Sequence, residues 1–143
     1  MILLDTNVLS ALMQREPDAA VIRWLDAQPR VSVWTTAISV FEIQSGMRSM
    51  PAGKRRTALM SAFDRLLQQV LEQRIAAFDA AATEHAAMLF AARQKKGQPI
   101  ELRDTMIAGI AHATRATLAT RNVRRFADLQ TTVVNPWQAG STR

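Results

Sequence analysis

Ile2-Leu3-Leu4-Asp5-Thr6-Asn7-Val8-Leu9 is the stretch that decides the fold. Three successive branched apolar residues cut off by an acid read as a short, fully buried strand with Asp5 at its carboxyl end. Thr6 is a plausible N-cap for the helix that follows to Gln14. Strands buried on both faces belong to parallel sheets, and parallel strands need long crossovers, usually helical. The rest of the chain supplies them.

Asp18 can cap a second helix through Ala27, with Val21, Trp24 and Leu25 on one stripe. Val31-Ser32-Val33-Trp34 is a strand candidate, and Thr35-Thr36 caps the helix that carries Glu42. Pro51-Ala52-Gly53 breaks the chain, and helical spacing then predicts one long helix from Lys54 to Gln73. Arg74 to Phe78 reads as a strand, and Asp79 opens an alanine-rich helix to Gln94. A helix over 103–113 and strands over 117–120 and 131–134 complete the pattern. This alternation predicts an α/β fold: a three-layer α/β/α sandwich with a mostly parallel central sheet of four to five strands. Residues 1–137 read as one domain and 138–143 as a disordered C-terminal tail.

Composition narrows the partners. The 143 residues carry 18 Lys+Arg against 12 Asp+Glu, a net charge of +6, and a surface that basic attracts polyanions. There is no cysteine, so disulfide scaffolds and thiolate metal sites are excluded and the cytoplasm is the natural compartment. No apolar run reaches the ~20 residues of a membrane span, and Met1 to Asp5 does not resemble a signal peptide.

Three acids then stand out. Asp5 closes a strand, Glu42 lies mid-helix among Ile38, Ser39, Ser45 and Gly46, and Asp104 precedes Ile107, Ala108 and Ala111 on the inward face of its helix. Capping, solvation and the helix dipole each explain one of them alone. An ionised carboxylate facing inward is costly unless something positive meets it, and a divalent cation meets all three. An aspartyl-phosphate mechanism is disfavoured, because the position two residues after Asp5 is Asn7. His85 and His112 read as structural or exposed, without spaced partners, and Trp24, Trp34 and Trp137 as core or interface anchors.

These segments, with Ser39-Val40-Phe41-Glu42-Ile43-Gln44-Ser45-Gly46, Ala119-Thr120-Arg121-Asn122-Val123-Arg124-Arg125-Phe126 and Val134-Asn135-Pro136-Trp137, resemble the PIN domain. Within it they resemble the VapC-type toxins, and the Asn-Pro-Trp ending is similar to the FitB-type subgroup. The resemblance runs nearly end to end in the family's order. It implies Asp5, Glu42 and Asp104 as metal-binding catalytic acids, with Thr6, Asn7, Ser39, Thr120 and Asn122 supporting them. Many members have a further acid after the position of Thr120; here Asn122 and Arg125 stand at the candidate positions, which argues against a complete second metal site.

The resemblance further implies an Mg²⁺-dependent endoribonuclease, with Mn²⁺ able to substitute, acting as the toxin of a type II toxin–antitoxin pair. Its expected partners are RNA, a cognate antitoxin, a second copy in a homodimer, and operator DNA through a toxin–antitoxin hetero-oligomer, with no membrane. Arg103, Arg121 and Arg124 are candidates for holding substrate phosphate, among basic residues near the expected mouth that also include Arg48, Lys54 and Arg55. Two alternatives stay open: a non-catalytic nucleic-acid-binding PIN module, and a DNA-directed nuclease of the same fold.

Overall fold

The computed structural model describes residues 1–138. β1 (Ile2–Leu4) pairs in parallel with both β2 (Val33–Thr36) and β4 (Thr117–Ala119), so the first strand is the middle one. β3 (Ile75–Ala76) adds to β2 and β5 (Val133–Val134) to β4, again in parallel. The order is β3-β2-β1-β4-β5. The sheet therefore has five strands among the described residues, and all its pairings are parallel.

Leu3 and Leu4 point to opposite faces, as neighbours in a strand must. Leu4 packs with Val8, Leu9, Val33, Ile43 and Phe63 beneath α1 (Thr6–Leu12), α2 (Ala19–Asp26), α3 (Ala37–Arg48) and α4 (Lys54–Arg65). Leu3 packs with Leu118, Ile107 and Ile110 beneath α5 (Ala80–Lys95) and α6 (Leu102–Thr114). Both leucines are completely buried, each contributing on the order of 1.5–3 kcal/mol. One apolar dipeptide thus anchors both outer layers.

The long helix expected over 54–73 is α-helical only to Arg65 and then takes a π turn over Leu66–Val70. Leu71 N donates to Leu66 O at 3.0 Å, five residues back, which rotates the following side chains relative to an α-helix. Leu66, Leu67 and Leu71 are all buried as a result. The strand expected from Val31 starts at Val33, because Arg30–Ser32 form a 3-10 turn that leaves Val31 exposed. At the other end, the strand in the run 131–134 is confined to Val133–Val134, although Thr132 O accepts from Leu118 N at 2.9 Å. Of the expected tail, residues 139–143 lie outside the described residues, while Gln138 N donates to Asn135 O at 3.0 Å.

Gly109 sets the distance between α5 and α6. A Cβ there would stand 2.6 Å from the Ala82 carbonyl oxygen and 2.6 Å from Ala86 Cβ. Gly109→Ala would gain about 1 kcal/mol of helix propensity. The clash is with backbone that cannot swing aside, so overpacking, typically about 1–3 kcal/mol, wins. We expect Gly109→Ala to lower the denaturation midpoint; an equal or higher midpoint would show that α5 can move away.

Candidate active site

The carboxyl ends of β1, β2 and β4 meet at one edge of the sheet, where strand order reverses on either side of β1. Ligands of open α/β sheets bind at such an edge. Asp5 N donates to Ala119 O at 2.9 Å and Thr35 Oγ1 donates to Leu4 O at 2.7 Å, so the end of β1 is fixed from both sides.

Asp5 itself caps α1: its Oδ1 accepts from Thr6 N at 2.8 Å. The cap expected of Thr6 is therefore displaced by one residue, and the Thr6 hydroxyl is left for other work. Asp5 Oδ2 accepts from Thr120 Oγ1 at 2.7 Å, and Asn7 Nδ2 lies 3.4 Å from the same oxygen. Asp5 is 5% exposed, and burial pushes its pKa up to about 6. The Thr120 and Thr6 hydrogen bonds pull it down, while the charges of Asp104 and Glu42 raise it.

Thr6 Oγ1 donates to Glu42 Oε1 at 2.7 Å and stands 3.0 Å from Ser39 Oγ. An ionised carboxylate only accepts, so the single Thr6 proton faces Glu42 and the Ser39 hydroxyl supplies the proton of the second contact. Thr36, the N-cap of α3, holds Ser39 through its backbone N–H at 3.0 Å. Glu42 Oε2 meets Arg103 Nη1 at 3.5 Å.

Asp104 sits in the first turn of α6 with its side chain 13% exposed, facing inward. Burial raises its pKa; Arg125, whose Nη1 is 3.3 Å from Asp104 Oδ2, opposes that rise, and Glu101 and Glu42 add to it. Thr120 is fully buried and accepts from Asn122 N at 3.0 Å, so Asn122 contributes backbone to the site. Asn7 Oδ1 accepts from Arg121 N at 3.1 Å, tying α1 to the segment after β4.

The candidate arginines have different surroundings. Arg103 pairs with Glu42 and with Glu101, and the Arg121 guanidinium lies 4.8 Å from the Trp137 ring centroid. Arg124 is exposed on the 3-10 turn Val123–Phe126. Arg55 lines a separate groove between α1 and α4. Arg125, noted in the sequence only as standing where a further acid could be, brings its charge to Asp104. The histidines do have partners: the His85 and His112 rings meet edge-on at 6.0 Å, and His112 Nε2 accepts from Gln130 N at 3.1 Å.

The profile of the PIN domain matches residues 2–131. The chain belongs to the PIN domain family. Among curated relatives, this PIN domain is 39% identical to the plasmid stability protein StbB of Pseudomonas syringae pv. tomato, over 97% of this chain and 100% of that one. It is 38% identical to the VapC ribonuclease Y4jK of Sinorhizobium fredii, over 96% and 99%. Toxin FitB of Neisseria gonorrhoeae is 31% identical over 96% of this chain and 99% of its own length. The crystal structure of FitAcB from the same organism matches with a TM-score of 0.85, at 31% identity, covering 96% of this chain and 99% of that one.

What could this PIN domain's acid edge hold? Its three carboxylates are hard oxygen donors, and the charges of Asp104 and Glu42 raise the proton affinity of Asp5, a charge imbalance that a divalent cation relieves. Among the described residues, no three His, Cys, Asp or Glu side chains form a closed set able to hold an ion unaided. Mg²⁺ does not require one, since one or two direct carboxylates and several waters suffice. The donor chemistry of Asp5, Glu42 and Asp104 fits such an ion.

Proposed function

We propose that this PIN domain is an Mg²⁺-dependent endoribonuclease, the toxin of a type II toxin–antitoxin pair working in the cytoplasm. The observation that carries the reading is Asp5, buried at the carboxyl end of the central strand and under the charges of Glu42 and Asp104. Support comes also from relatives named as a VapC ribonuclease and as toxin FitB. In this reading a cognate antitoxin restrains the enzyme, two copies form a homodimer, and the toxin–antitoxin assembly binds operator DNA. No helix among the described residues is long and apolar enough to cross a membrane.

Asp5, Glu42 and Asp104 would hold Mg²⁺, or Mn²⁺ in its place, and the ion supplies Lewis acidity to the scissile phosphodiester and to the attacking water. The chain's own contribution is preorganisation. Thr120 and Thr6 fix the two oxygens of Asp5, and Thr6 with Ser39 fixes Glu42, so the carboxylates need not reorient when charge develops. Arg103 and Arg125 offset acidic charge at the mouth, which lowers the barrier to a polyanion's approach.

Labelled RNA and labelled DNA, each incubated with Mg²⁺, Mn²⁺ or chelator, test the reading. Metal-dependent cutting of RNA is expected. Cutting of DNA alone would favour the DNA-directed nuclease, and binding without cutting would favour the non-catalytic module. The Arg125 contact with Asp104 is the observation that favours the latter.

A pH dependence follows from Asp5. With its pKa near 6, Asp5 carries a proton in acid that competes with a cation. Calorimetric titration with Mn²⁺ should show affinity falling steeply from about pH 7 to about pH 5. A flat profile would mean that Asp5 is not a ligand.

A further inference from the structure

A cavity of about 870 Å³ lies beside the acid edge and shares Asp104 with it. Its walls are the end of α5, the connection into α6 and the 3-10 turn Val123–Phe126. The size falls within the ~300–1,000 Å³ of typical small-ligand sites. Its charge is uneven. Arg93 is spent on Asp128, with two contacts of 2.8 Å. Glu101 is engaged by Arg103 at 3.5 Å. The remaining cations are Lys96, Arg124 and Arg125, all on exposed residues. Pro99 and Ile100 add an apolar part to the lining.

Arg125 stands at the boundary of the two sites. Its guanidinium touches Asp104 at 3.3 Å, yet its side chain is 59% exposed and free to turn into the cavity. A ligand that suits this arrangement carries negative charge at intervals and a flat, moderately apolar body between them. We propose that the cavity seats the nucleotide of a single-stranded RNA next to the scissile phosphate, with Lys96, Arg124 and Arg125 on its flanking phosphates. The base or ribose lies against Pro99 and Ile100. Among the described residues no aromatic side chain lines the cavity, so this subsite reads backbone and contributes little base preference by stacking. The assignment rests on the nuclease reading for what happens next door, but the binding itself does not.

The test is a comparison of matched charge removals in the full chain. One double variant, Lys96→Ala/Arg124→Ala, empties the cavity wall. The other, Arg55→Ala/Arg65→Ala, removes the same charge from the groove between α1 and α4. Affinity for a short fluorescein-labelled single-stranded RNA of mixed sequence is read by anisotropy in Ca²⁺ over a salt series. The cavity variant should bind roughly tenfold more weakly, and its slope of log affinity against log salt should shrink by about 0.7 per cation removed. The groove variant should keep the wild-type slope. Equal losses in both variants, meaning net charge alone, or no loss in the cavity variant, would overturn the proposal. So would a cavity variant that keeps RNA but loses binding to polyglutamate, which marks an acidic-peptide site. Failure of wild-type protein to cut RNA would sink the nuclease reading while leaving this binding result to stand or fall separately.

Discussion

Asp5→Asn is expected to reduce metal-dependent RNA cleavage on the order of 10²-fold or more, the scale of losing one preorganised electrostatic group. Asp104→Asn should do the same. The amide keeps the size of the side chain and one of its two accepting oxygens, giving up one hydrogen bond along with the charge. A second readout separates this from misfolding. Burial lifts the Asp5 pKa to about 6, so the fold favours the neutral carboxyl. That contribution is complete below the ordinary carboxylate range and is lost as pH rises through about 6. In chelator at about pH 8 the wild type bears an ionised, buried Asp5, and Asp5→Asn should therefore melt at a higher temperature. The advantage should vanish by about pH 4. Less activity with more stability is the signature of a functional charge. Full cleavage by Asp5→Asn would reject the site.

The largest structural effect should come from Arg93, which is 4% exposed. Its Nε and Nη2 donate to Asp128 at 2.8 Å each, Nη1 donates to Thr105 Oγ1 at 3.0 Å, and Nη2 donates to the Arg125 carbonyl at 3.1 Å. One guanidinium thereby ties α5 to α6 and to the turn that carries Arg125. Asp128→Ala should cost about 3 kcal/mol, because it strands a buried cation. The double variant Arg93→Met/Asp128→Leu should recover much of that loss, since it removes the uncompensated charge together with its partner. Its recovery would be read from denaturant midpoints. Hydrogen bonding from Arg93 holds the Asp128 pKa below the ordinary range, so the pair's contribution is present above that range and lost as pH falls through the lowered value. The gap between wild type and Asp128→Ala should accordingly narrow in acid.

The parallel sheet was legible because Leu3-Leu4 must be buried on both faces and each strand candidate was followed by a helix. Asp5 and Asp104 were legible because an acid at an apolar boundary needs a reason. Glu42 was legible only through its small neighbours and the family resemblance. Other features depend on contacts that sequence spacing does not encode. The π turn after Arg65 answers to how Leu66, Leu67 and Leu71 fit the core. The Asp5 cap replaced Thr6 because the Thr6 hydroxyl finds Glu42, 36 residues away. Arg93 lies in the last turn of an alanine-rich helix, where a basic residue usually answers the helix dipole in solvent. Its partner, Asp128, is 35 residues on. Likewise the His85–His112 contact joins two helices with no shared spacing.

The most direct measurement is anomalous diffraction from a crystal of this protein grown at neutral pH and soaked in Mn²⁺. One peak is expected within direct reach of an Asp5 carboxylate oxygen, with Glu42 and Asp104 reaching it directly or through water, and it should disappear in Asp5→Asn crystals. A peak elsewhere, or none while Arg103 and Arg125 still cover Glu42 and Asp104, would contradict the account.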